Sequence, residues 1–183
     1  MLWFLFSLLG FAALRLHPVY PPIKQGISWF LGGETRYRLL VTTLTFLSLF
    51  GVAFFYNIPR SSLLWGPTLW MYRLANVAIY CSCVGLIALF HPCNIRRYVS
   101  SLPLCVVLLW ALPHLMATGD TTSCILFMGF ALIALAESVL LYVPQQYFPV
   151  AWSNDVAVFF LALLLFIALL LGHEYYSGVA VVV

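Results

Sequence analysis

"LWALPHLMATGDTTSCILFMGFAL", residues 109–132, is two apolar runs joined at Gly119-Asp120. Glycine is favoured where a helix ends in a left-handed residue, and aspartate where the free N–H groups of the next helix need an acceptor. The pair therefore predicts two helices joined in a tight antiparallel hairpin. Both runs are too apolar to face water, so the hairpin belongs in a bilayer. Trp110, Pro113 and His114 interrupt the first run. Pro113 removes one helix hydrogen bond and frees the carbonyl of Leu109, which predicts a notch beside an imidazole whose ring nitrogens need partners.

Working outward, the whole chain has the same character. Of 183 residues, 64% are hydrophobic and only 7% are charged, against about a quarter charged in a soluble domain. Too few charges exist to coat a water-facing surface, so an integral membrane protein is expected. The net charge of +3 is too slight to suggest nucleic acid as a partner. "MLWFLFSLLGFAALRL" shows no basic leader and no small-residue cleavage site, so no targeting peptide is expected. The cysteines at 81, 83, 93, 105 and 124 make no metal-binding spacing and are expected to pack as small apolar residues without disulfides.

Six segments approach the roughly 20 apolar residues that a spanning helix needs: about 1–17, 39–57, 69–90, 99–118, 122–143 and 156–173. His17-Pro18, Asn57-Ile58-Pro59, Gly119-Asp120 and Pro144 punctuate them, and Asn154-Asp155 is expected to cap the sixth. The fold class is an all-α membrane bundle of about six helices. Residues 23–38, "IKQGISWFLGGETRYR", are too short and polar to span. Ile23, Ile27, Phe30 and Leu31 share one helical face, which predicts a short helix lying in the membrane interface. Six of the eight Lys/Arg residues (15, 24, 36, 38, 96 and 97) fall on one side of this topology. That side is expected to be cytoplasmic, matrix or stromal, with both termini opposite.

Polar groups inside spans are costly and point to sites. His114 lies roughly 20 Å into the fourth span, with Trp110 one turn away. His17 stands at the end of the first span, and His91 and His173 at the ends of others. Glu137, deep in the fifth, is in reach of Arg96, Arg97 or Arg15 as a structural ion pair. No phosphate loop, GxSxG or HExxH is present, no carboxylate pair shares a face, and Pro113 is the only deep proline, so transport remains a minor alternative.

The order "LRLHP", "LGGETRYRLLVTTLTFLSLFG", "LLWGPTLWMYRL", "HPCNIRRYVSSLP" and "LWALPHLMATGD", followed by "LFMGF", resembles the NnrU family of bacterial membrane proteins, which includes the plastid 15-cis-ζ-carotene isomerases. The motifs cover about residues 3–135. They imply an NnrU-like membrane domain over 1–143 and an extra C-terminal transmembrane helix over 144–183. The isomerases look like haem b enzymes with two histidine ligands, and the resemblance implies His17 and His114 as ligands to haem iron, with Trp110 walling the ring. It also implies cis-trans isomerisation of a carotenoid; no catalytic residue is assigned. The chain departs from the family pattern at Ser101, where a histidine is usual, and at Leu102, Val106, Ala111 and Thr118. The lost histidine and glycine favour the alternative: a non-catalytic accessory subunit packed against other membrane subunits, in a bacterial or organellar inner membrane.

Overall fold

The computed structural model describes residues 1–56, 61–99, 101–141 and 147–177. Helix α1 (Leu2–Leu16) runs into a 3-10 turn (His17–Val19), then α2 (Pro21–Phe30), α3 (Glu34–Tyr56), α4 (Leu69–Phe90), the single turn α5 (Ile95–Tyr98), α6 (Leu102–Thr118), α7 (Thr121–Leu140) and α8 (Trp152–Ser177). No strand occurs among the described residues. Four helices, α3, α4, α7 and α8, are long and apolar enough to cross a membrane, and a fifth if α1 and α2 are joined despite a 94° bend. Helix α6 has 17 residues, about 26 Å at 1.5 Å per residue, and falls just short of the same measure. Six expected spans thus become four or five by length.

The ends of these helices follow local chemistry, with three departures from expectation. Pro18 and the Pro21-Pro22 pair stop α1 and start α2, where a missing N–H costs nothing. Helix α2 forms where the short helix was expected but is confined to ten residues. Gly32 and Gly33 take positive φ, 75° and 139°, and the chain restarts as α3 at Glu34, five residues before the expected boundary. Residues 34–38 therefore belong to the second long helix rather than lying flat. Helix α8 begins at Trp152, so Asn154-Asp155 is not its cap. The Asp155 carboxylate instead accepts from the Asn94 backbone N–H (2.8 Å) and side-chain amide (2.6 Å). The expected breaks at Asn57-Ile58-Pro59 and Pro144 lie outside the described residues.

In space the long helices form a row: α3, α1, α7, α6, α4, α8. Their directions are fixed by contacts at both ends. Helix α1 runs parallel to α7, with Phe11 on Phe130 (ring centroids 5.3 Å) and an ion pair between Arg15 and Glu137 (Nη2–Oε2 2.9 Å). That pair selects Arg15 from the three arginines within the expected reach of Glu137. Helix α6 is antiparallel to α7, its first turn held by Ser101 to Ser138 at 2.8 Å. Ser82 on α4 donates to the carbonyl of Val106 on α6 (2.9 Å), beside Gly85, where an added Cβ would meet the Val106 side chain at 2.6 Å. Small residues and an interhelical hydrogen bond are the usual glue between helices in lipid. Two buried clusters result. Phe4, Leu8, Val52, Leu126 and Phe127 centre one; Cys83, Val84, Ala88, Val158 and Ala162 centre the other. All five cysteines are free thiols, and Cys83 and Cys93 are buried as packing residues, as expected.

The hairpin expected at Gly119-Asp120 forms. Gly119 ends α6 at φ 68°, and an added Cβ there would lie 2.2 Å from the Trp65 carbonyl oxygen. Asp120 caps α7, accepting from the Ser123 N–H at 3.0 Å. The incoming α3–α4 loop is strapped across this turn. Leu64 N–H donates to Gly119 O (2.7 Å) and Thr121 N–H to Ser62 O (3.0 Å), while Ser61 donates to Asp120 Oδ1 (2.6 Å). Burial alone pushes the Asp120 carboxyl up; hydrogen bonds from Ser123, Ser61 and the Thr122 backbone more than reverse this and hold it below the ordinary carboxylate range.

Two outcomes are expected. Asp120→Ala should cost about 1 kcal/mol as a lost cap, and Gly119→Ala more than about 1 kcal/mol, since it meets both a forbidden φ and Trp65; thermal melts in detergent read both. A carboxyl depressed in the folded state contributes stability above its unfolded pKa of about 3.9 and loses it as pH falls through the folded value. The melting temperature should therefore drop below about pH 4, and less steeply in Asp120→Asn.

Candidate functional site

The two histidines expected to share an iron sit in different surroundings. His17 follows α1, and its ring edge faces Tyr37 on the first turn of α3 (centroids 5.6 Å). Its Nδ1 lies 2.6 Å from the carbonyl of Leu14. A carbonyl only accepts, so Nδ1 carries the proton and Nε2 the lone pair. The Tyr37 hydroxyl donates to that Nε2. Both ring nitrogens are thus committed within the protein, and no lone pair is left for a metal.

His114 lies in the last two turns of α6. Its Nδ1 donates to the carbonyl of Trp110 (2.7 Å), which again places the lone pair on Nε2. The ring is flanked by Trp110 (centroids 5.5 Å) and Phe127 (5.0 Å), and Trp110 packs on Phe127 and Phe130 in turn (5.2 and 5.5 Å). Pro113 and Ala111 are buried in a helix that continues through Thr118. These rings stand against the imidazole, on which the expected notch was to open. Trp110, expected to wall a haem ring, here stands beside the imidazole together with Phe127.

The fold keeps His17 and His114 apart. His17 stands two residues beyond Arg15, which pairs with Glu137 of α7, whereas His114 packs on Phe127 of α7. Ten residues of α7 separate those contacts, about 15 Å. Helix α3 separates the two places as well. Tyr37 meets His17, while Tyr56 bonds to Ser123 (2.6 Å), one helical turn from Phe127; those tyrosines are nineteen residues apart, about 28 Å. Two imidazole ligands each lie about 2 Å from a shared metal. These residues do not fit a haem held by His17 and His114 together. Among the described residues, no group of three or more His, Cys, Asp or Glu is placed to hold a metal ion.

His91 stands at the end of α4 with Nδ1 near the Pro92 carbonyl (3.2 Å), and His173 lies near the end of α8. Two polar assemblies were not foreseen. One is the chain from Tyr56 through Ser123 to Asp120 and Ser61, which ties α3, α7 and the α3–α4 loop. The other surrounds Glu34, which pairs with Lys24 (3.1 Å) and Arg38 (2.9 Å). The four-residue spacing of Glu34 and Arg38 signals a helical ion pair; nothing local in the sequence links Lys24 to it.

Comparison with family models matches residues 3–181 to the NnrU protein family. The chain belongs to the NnrU family. The match runs beyond the motifs of residues 3–135 and takes in α8, so in this NnrU protein the last helix lies within the family's extent. Searches of curated proteins and of solved structures return no match.

Tyr37 is the contact that holds His17 and, through it, the turn into α2. Tyr37→Phe should leave the helix content unchanged and speed amide exchange of residues 17–30 several-fold, measured by hydrogen–deuterium exchange. Unchanged protection there would remove Tyr37 from this role.

Proposed function

We propose that this NnrU-family chain crosses the membrane six times and serves as a non-catalytic accessory subunit of a larger membrane complex. The observation that carries this reading is the separation of His17 from His114, with Tyr37 occupying the lone pair of one and aromatic side chains enclosing the other. The residues that the resemblance marks for chemistry are built here into packing. Six crossings are supported by direction: α1, α3, α4, α6, α7 and α8 alternate, and each pairs antiparallel or parallel as six passes require. Helix α6 and helix α1 are short, but a bilayer thins locally and flanking residues snorkel to meet short spans. Arg15, Lys24, Arg36, Arg38, Arg96 and Arg97 then share the cytoplasmic, matrix or stromal face.

Two experiments test this. In a cysteine-free background, Arg97→Cys and Ser61→Cys should label from opposite faces with a membrane-impermeant reagent; labelling from one face would break the six-pass map. The full chain purified in detergent should show no Soret band, and cross-linking in native membranes should join it to other membrane proteins at fixed stoichiometry. A Soret band that His114→Ala abolishes, on a chain that cross-links to nothing, would overturn the accessory reading in favour of a haem protein.

A further inference from the structure

At the basic end of the bundle, α2 folds back against the start of α3 and leaves two adjoining clefts, of about 440 and 360 Å³, that share Pro18, Lys24 and Glu34. Sites for small ligands are typically of this size. The second cleft has a chemical gradient. At its mouth are Lys24, Glu34 and Arg38, and one turn deeper along α3 are Val41 and Thr42. The mouth is charged and the floor follows the surface of a helix that is otherwise nearly bare, only 6% of its apolar window being buried.

The charge at the mouth is unbalanced. Glu34 is shared between Lys24 and Arg38, so two cations meet one carboxylate and one positive charge remains. Donors are left over as well. Among the described residues Arg38 engages only Nε, with Glu34, leaving its two Nη groups, and a Lys ammonium has three protons, of which Glu34 takes one. Depth is set by α2, whose Trp29 and Phe30 are 84% and 82% exposed, as aromatic residues at a lipid–water boundary are. Basic pockets at this level on the positively charged face suit anionic headgroups.

We propose that this cleft binds a phospholipid carrying one net negative charge, its phosphodiester on Lys24 and Arg38 and an acyl chain along Val41 and Thr42. A monoanionic phosphodiester neutralises the residual charge, and an attached tail accounts for the apolar floor. The site is independent of the accessory-subunit reading, needing only that α2 lies at the membrane interface.

The test uses the full chain in detergent, titrated with phosphatidylglycerol, phosphatidylcholine of the same acyl chains, or inorganic phosphate, and read by native mass spectrometry. Phosphatidylglycerol should bind at least about fivefold more tightly than phosphatidylcholine. The double variant Lys24→Gln/Arg38→Gln should lower its binding roughly thirtyfold, at about 1 kcal/mol for each of the two charges removed, and Arg73→Gln should not. Val41→Asp should lower lipid binding with the cations intact, which keeps the proposal testable if the double variant unfolds; far-UV circular dichroism reports that. Equal binding of both lipids, wild-type binding by Lys24→Gln/Arg38→Gln or by Val41→Asp, or inorganic phosphate that binds as well as phosphatidylglycerol would each overturn it, the last by making this a site for a free anion.

Discussion

The carboxylate of Asp120 accepts hydrogen bonds from three places at once: the first turn of its own helix, the Ser123 hydroxyl that also meets Tyr56 of α3, and Ser61 in the loop arriving from α3. In hydrocarbon a turn must satisfy its own polar groups, because no water is there to do so. At the edge of the bilayer this one side chain does much of that duty for the α6–α7 hairpin. Because Gly119 offers its carbonyl to Leu64 and Trp65, and Trp65 returns its indole N–H to Met116 (3.1 Å), the loop and the hairpin become one rigid piece. The central helices are aligned from that end, and the row of six is built out from them.

What could be read in advance follows from the range of the forces involved. The hairpin was legible because Gly119 and Asp120 act on their immediate neighbours, and the stop at Pro18 and Pro21-Pro22 was legible for the same reason. The boundary before α3 was missed because a Gly-Gly break is a weaker signal than a proline, and because the polar run after it looks unfit for lipid. Glu34 and Arg38 are tolerated there by pairing with each other and with Lys24. Asp155 was misread as a cap since its partner, Asn94, is 61 residues away. The candidate site suffered most. Helix α6 runs through Pro113 to Thr118, and what stands beside His114 depends on which ring arrives from α7, here Phe127.

The two histidines also show how the ends of the bundle differ. One end is charged, with Arg15–Glu137 and the Lys24–Glu34–Arg38 group. The other is aromatic around His114 and then hydroxylic around Asp120. Tyrosine and histidine at the first end behave as a latch on the interfacial helix; tryptophan and histidine at the second behave as core. The same residue type does two unrelated jobs because the neighbours that reach its nitrogens differ.

The Arg15–Glu137 contact spans 122 positions in the chain, and this bears on how the protein is made. A chain inserted from its N-terminus places α1 in the bilayer long before α7 exists. Through that interval Arg15 lacks the Glu137 carboxylate, and the part of α1 that packs on α7 is without that partner. Insertion and assembly are therefore separate stages, as for membrane helices generally. The α1–α3 pair and the α6–α7 hairpin are each built from helices close in the chain, so each can form as soon as its own second helix is inserted. The α1–α7 contact, and with it Arg15–Glu137, can close only when both pairs are present.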